Sequence, residues 1–211
     1  MLVLLVHGLG RTPLSLFGLA PALRRAGHHT LFFAYSPTLE SLPRILRRLT
    51  TKLRQLANAG RPIGLVAHSL GGLLLRKALS GVPDLRVHRL VMLGTPNRPP
   101  RLAALAWWWL PFRCFTRDCG RFLASPFLIP AIPIPTVPYT LIAGTAGPRR
   151  SWLPHGDEPN DGIVSVSEVR VRDDDRPLLF PVWHSFMMDH PAVQRAVAAA
   201  MITPPDNAPP R

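Results

Sequence analysis

The stretch Pro62-Ile63-Gly64-Leu65-Val66-Ala67-His68-Ser69-Leu70-Gly71-Gly72-Leu73-Leu74-Leu75 limits the fold more than any other part of the chain. A continuous apolar run opened by a proline reads as a strand buried on both faces, as in a parallel sheet. The leucine-rich run after it, through Leu79, reads as a buried helix stopped by Gly81. No loop separates the two, so Ser69 sits on a sharp strand-to-helix turn. Small residues two positions to either side, Ala67 and Gly71, suit a turn that presses its flanks against neighbouring chain.

The rest of the chain repeats the same alternation. Leu2 to Val6 is an apolar run ending at His7-Gly8 and predicts a first strand; Pro13 opens a helix whose apolar face, Leu14 to Leu23, runs to Gly27. Thr30 to Tyr35 predicts a second strand, and Leu42, Ile45, Leu46, Leu49, Leu53 and Leu56 recur at helical spacing before Gly60. Further strands are predicted at Arg89–Leu93, Tyr139–Ala143 and Pro177–Trp183, and a last helix at Pro191–Met201. About six strands alternating with helices predict an α/β fold, a mostly parallel central sheet with helices on both faces. We expect one domain over 1–202 and a frayed tail over 203–211. Residues 98–138, rich in tryptophan, phenylalanine and proline, are too long for a simple connection and predict a lid-like insertion, irregular from Pro126 to Pro138.

Composition narrows the class without naming a partner. With 25 Lys+Arg against 12 Asp+Glu the chain carries +13, but the arginines are scattered, which reads as a solvated basic surface and not as a nucleic-acid footprint. Contact with an anionic membrane surface is compatible with that charge. Met1 to Val6 is too short for a signal-peptide core and no run reaches the length of a membrane span, so a cytoplasmic protein is expected. Cys114 and Cys119 lack the spacing of a zinc site or a redox pair and read as free thiols or one local disulfide. The histidines lack paired metal spacing, so neither a catalytic metal nor a cofactor is expected.

A serine hydroxyl becomes a useful nucleophile only when it is exposed and a base takes its proton. The turn at Ser69 supplies the exposure. The oxyanion formed by attack on a carbonyl needs N–H donors already aimed at it, and two are in reach: Leu70, at the start of the helix, and Leu9, after His7-Gly8 in a loop that Gly8 and Gly10 allow to bend. His7 reads as a residue fixing that loop.

Val6-His7-Gly8-Leu9-Gly10, Ala67-His68-Ser69-Leu70-Gly71-Gly72, Gly94-Thr95-Pro96-Asn97 and Asn160-Asp161-Gly162-Ile163-Val164 together make the chain resemble the α/β-hydrolase family, in particular its small lipase-like and esterase-like members. Ala67 departs from the family's usual first glycine by one methyl group. The resemblance implies triad residues in the order Ser, Asp, His, the acid after the penultimate strand and the base after the last. Asp161, in a turn-rich segment, fits the acid, with Asp157 and Glu158 as neighbours that compete for the role. His184 fits the base, with His190 as its rival. His68 is expected to project away from the attacking oxygen, and His28, His29, His88 and His155 have no placement that argues for chemistry.

These readings converge on a serine hydrolase that cleaves carboxylic esters, with a small-molecule or lipid ester of apolar acyl chain as substrate. The same fold leaves acyl transfer, thioester cleavage and amide cleavage open, and a non-catalytic scaffold is the alternative of another class.

Overall fold

A computed structural model describes residues 1–203. Its centre is a six-stranded sheet, β1 (Leu2–Val6), β2 (His29–Phe33), β3 (Ile63–His68), β4 (Val87–Leu93), β5 (Tyr139–Gly144) and β6 (Leu178–Phe180), in the order β2-β1-β3-β4-β5-β6. Every pairing is parallel. Parallel strands bury both faces, and alternation along β1 divides the core accordingly. Leu4 and Val6 join the cluster under α2 (Leu42–Asn58) and α3 (Leu70–Leu79). Val3 and Leu5 join the one under α1 (Leu19–Arg25) and α7 (Pro191–Ile202). The expected helices on both faces are therefore present.

Two expected elements differ. The helix opened by Pro13 is a 3-10 turn over Pro13–Leu16 followed by α1. Gly18 lies at the break, and a Cβ there would stand 2.6 Å from Asp189 Oδ1 and 2.9 Å from the Met188 carbonyl, so close packing of the C-terminal segment occupies that position. The last strand pairs only over Leu178–Phe180 instead of Pro177–Trp183, because Pro177 and Pro181 bracket it and neither has an N–H for a ladder. Of the expected tail, residues 204–211 lie outside the described residues.

Residues 98–138 hold two helices, α4 (Arg101–Ala106) and α5 (Leu110–Ala124), then turns without strand structure to Pro138. Helix α5 bends at Arg117, whose φ of 47° is one of two positive values among the described non-glycine residues. The other is at Ser69. A polar tie holds the start of α4. Glu168, at the end of the short helix α6 (Val166–Val169), accepts from the Arg101 backbone N–H at 2.9 Å and its Nε at 3.0 Å, while Arg101 also pairs with Glu158.

The sheet reverses its order between β1 and β3: the chain goes from β1 outward to β2 and returns on the other side of β1. At such a switch point the loops leaving the carboxyl ends diverge and open a crevice. Gly8-Leu9 leaves β1 there and Ser69 leaves β3.

Candidate functional site

Ser69 caps α3 with φ 53° and ψ −126°, a conformation that costs an L-residue of order 1–3 kcal/mol and persists only where the surroundings enforce it. They do so through three glycines. A Cβ at Gly71 would lie 2.5 Å from the carbonyl oxygens of Val6 and His7; one at Gly72 would run into Thr95 Oγ1; one at Gly8 would lie 2.9 Å from Ser69 Cβ. The end of β1, the start of α3 and the loop after β4 are thus in contact around this residue. The Ser69 N–H donates to the Leu93 carbonyl at 2.8 Å, tying the turn to β4 as well.

Asp161 and His184 meet at the carboxyl edge of β5 and β6. The turn Asn160-Asp161-Gly162-Ile163-Val164 closes with the Asp161 N–H donating to the Val164 carbonyl, and Gly162 takes φ 91°. One carboxylate oxygen, Oδ1, accepts from the Ile163 and Val164 N–H groups at 2.9 and 2.7 Å. The other, Oδ2, lies 2.7 Å from His184 Nδ1. The His184 backbone N–H also donates to the Asp161 carbonyl at 2.9 Å, so main chain and side chain fix the pair in one orientation. Asp161 is 1% exposed. With Nδ1 given to the carboxylate, Nε2 is the ring atom free to act elsewhere.

Ser69 and His184 line one cleft of about 410 Å³, together with Leu9, Arg11, His68 and Ser185. Its remaining walls are apolar. Pro96 and Pro100 come from the loop after β4, Leu102, Ala103, Ala106, Phe112 and Leu123 from α4 and α5, and Ile163 and Val164 from the turn that holds Asp161. Residues 98–138 therefore roof the cleft as well as covering the sheet.

Not every competing residue comes here. Glu158 is engaged by Arg101 and by the Ser167 N–H. His190 caps α7 and faces Phe180. His7 stacks on Tyr35 with ring centres 4.2 Å apart; its Nδ1 donates to the Gly8 carbonyl and its Nε2 accepts from the Tyr35 N–H. Burial holds its pKa down. It braces the loop after β1, as its position implied.

His68 is the residue whose importance the sequence did not disclose. Its ring lies 4.6 Å from that of His184, and its Nε2 donates to the His184 carbonyl at 3.0 Å. Burial, with the neighbouring His184 second, pushes its pKa well below the usual histidine value, so it stays neutral. Only contact across 116 positions of chain gives it this place.

Residues 2–129 match the family described as alpha/beta hydrolase fold. The chain belongs to that family. Among solved structures, a mature lipase from Bacillus licheniformis superposes with a TM-score of 0.73 at 22% identity, covering 95% of this chain and 91% of that one. A soluble variant of the Saccharomyces cerevisiae monoglyceride lipase gives 0.64 at 16% identity over 95% and 84%. A monoacylglycerol lipase from Paleococcus ferrophilus gives 0.61 at 17% over 95% and 93%. At these identities the likeness is one of fold. Curated protein sequences contain no match to this one. Among the described residues no helix is long and apolar enough to cross a membrane, and both cysteines are free thiols, Cys114 exposed and Cys119 buried.

Proposed function

We propose that this α/β-hydrolase is a serine esterase acting on carboxylic esters of apolar acyl chains, with Ser69 as nucleophile, His184 as general base and Asp161 as the acid that holds it. Ser69 Oγ attacks the acyl carbonyl while His184 Nε2 takes its proton. The same nitrogen returns the proton to the departing alcohol oxygen, leaving the acyl group on Ser69, and water repeats the cycle to release the acid. Asp161 keeps the proton on Nδ1 throughout and offsets the positive charge that the imidazole gains.

The observation that carries this reading is the 2.7 Å contact of Asp161 with a histidine that shares a cleft with a serine held at positive φ. The Leu9 and Leu70 N–H groups are the proposed oxyanion donors. Leu70 is the first residue of α3, where the helix dipole adds partial positive charge, and Leu9 follows the glycine pressed against Ser69.

The nonpolar roof supports the choice of substrate, since an acyl chain laid under α4 and α5 meets leucine, alanine and phenylalanine only. We extend the proposal to the cover itself: residues 98–138 form a lid on one domain spanning 1–202. Its exposed Trp108 and Trp109, among scattered arginines, make peripheral contact with anionic membrane. A cytoplasmic setting belongs to the same proposal and suits the free thiols.

A fluorophosphonate probe tests the nucleophile. Labelling of the wild type that disappears in Ser69→Ala is expected, and a folded wild type that resists labelling overturns the reading. Esters of increasing acyl length then test the substrate: kcat/KM should rise from acetyl to octanoyl, and a preference for acetyl removes the apolar-chain part alone.

A further inference from the structure

Among the described residues, Arg11 is the one lysine or arginine lining the cleft over Ser69, and no aspartate or glutamate lines it. It follows Gly10, whose φ of 64° turns the loop after β1, and it remains half-exposed at the cleft's edge. Other arginines around the site are spoken for. Arg101 pairs with Glu158 and Glu168, and Arg76 donates to Asn97 and to the Ile132 and Pro133 carbonyls. Among the described residues Arg11 has no ion-pair or hydrogen-bond partner. Its charge nevertheless reaches the catalytic end of the cleft, since it is among the causes that hold His68 neutral, and His68 lies against His184.

A cation on the wall of an otherwise nonpolar cleft needs a counter-charge to stabilise it. A guanidinium without a carboxylate in the same cleft leaves its N–H donors and its charge for an anion that the substrate brings. The nonpolar walls offer such an anion no place beside α4 and α5, so it must lie at the edge, with the alcohol part of the ester. A guanidinium also presents paired N–H donors that match phosphate oxygens.

Resting on the esterase reading, we propose that Arg11 forms an anion subsite at the mouth of the cleft, and that the preferred substrate is a single-chain acyl ester whose alcohol part carries a phosphate.

The experiment uses decyl phosphate and decanol, below their aggregation limits, as competitors against fluorophosphonate labelling of Ser69. In the wild type decyl phosphate should protect at a concentration about ten-fold lower than decanol. Arg11→Gln should bring that ratio near one and Arg11→Lys should keep most of it. Arg25→Gln, on the exposed end of α1, should leave it unchanged. Turnover of 1-oleoylglycerol 3-phosphate relative to 1-oleoylglycerol should follow the same pattern. Equal protection by the two compounds in the wild type overturns the proposal. So does an equal loss of protection by both in Arg11→Gln, which makes Arg11 structural, or a fall in Arg25→Gln matching that in Arg11→Gln, which makes the effect one of general surface charge. If Ser69 resists labelling in folded protein, the esterase reading fails by itself. The subsite is then judged by calorimetry of decyl phosphate, where about ten-fold weaker binding to Arg11→Gln upholds it and equal binding overturns it.

Discussion

Helices α3 and α4 are both built from leucine and alanine with a basic residue or two, yet α3 buries eight of its ten residues and α4 buries none to the same degree. The difference lies in what each helix faces. Helix α3 enters the core between the sheet and α2, with glycines at the points where β1 and Thr95 press against it. Helix α4 spans the open cleft, held at its N-terminal end by Glu168 and packed mainly against α5. One region is packed solid and the other lines a cleft. Variants in the first should fail by strain or lost chemistry, and variants in the second should change what is bound.

The largest effect is expected at the rigid end. Asp161→Asn keeps the size of the side chain but lets the amide donate toward His184 Nδ1, which favours the wrong tautomer of the base. A fall in kcat on the order of 10³- to 10⁴-fold with little change in KM is expected. The measurement is steady-state hydrolysis of a p-nitrophenyl ester. A loss below ten-fold would mean that the 2.7 Å contact is structural and that the base is oriented by something else.

Next comes the packing that holds Ser69 in its turn. Gly71→Ala places a methyl group 2.5 Å from two backbone carbonyls that belong to β1 and its following loop, and backbone cannot swing aside as a flexible side chain would. We expect a destabilisation of about 3 kcal/mol, seen as a lower urea midpoint at constant slope. Leu105→Ala on the half-exposed surface of α4 should stay within about 0.5 kcal/mol of wild type by the same assay. Equal losses would erase the contrast between the two helices.

These expectations also separate what the sequence discloses from what it hides. The turn at Ser69, the Asp161 segment and the place of His184 were legible because each is a local pattern at the end of a strand. His68, Arg11 and Glu168 were not, because their roles come from partners far along the chain: the His184 carbonyl, the cleft wall and Arg101. Helix α4 was hidden because six residues with none fully buried carry little periodicity, and α5 because its pattern is broken by the kink at Arg117. The shortness of β6 was readable from Pro177 and Pro181 once a neighbour strand was known to need their N–H groups.

Three buried histidines, His7, His28 and His68, make stability depend on pH. Burial lowers the pKa of each in the folded protein, that of His68 furthest. Below the unfolded value of about 6.5 the unfolded chain takes up protons that the fold refuses, so the stabilisation is present above that pH and is lost as pH falls. Each group contributes a slope of at most about 1.4 kcal/mol per pH unit. Chemical unfolding from pH 7.5 to 5 should show the decline, and His68→Gln should make it shallower. An unchanged slope would show that other acid-side titrations dominate.

The smallest expected change in stability lies in the cover, and it carries the sharpest functional contrast. Trp108 is 86% exposed and Trp109 66%, so replacing both by serine removes little buried area and should shift stability by no more than about 0.5 kcal/mol each. If the cover meets lipid, the same pair contributes two interfacial anchors, and their loss should weaken binding to vesicles of anionic phospholipid about ten-fold or more. Hydrolysis of a soluble short-chain ester reads the chemistry without the interface and should hold. A variant that loses soluble activity and vesicle binding together would show that the tryptophans shape the cleft, and the division between a rigid catalytic floor and an adaptable roof would have to be redrawn.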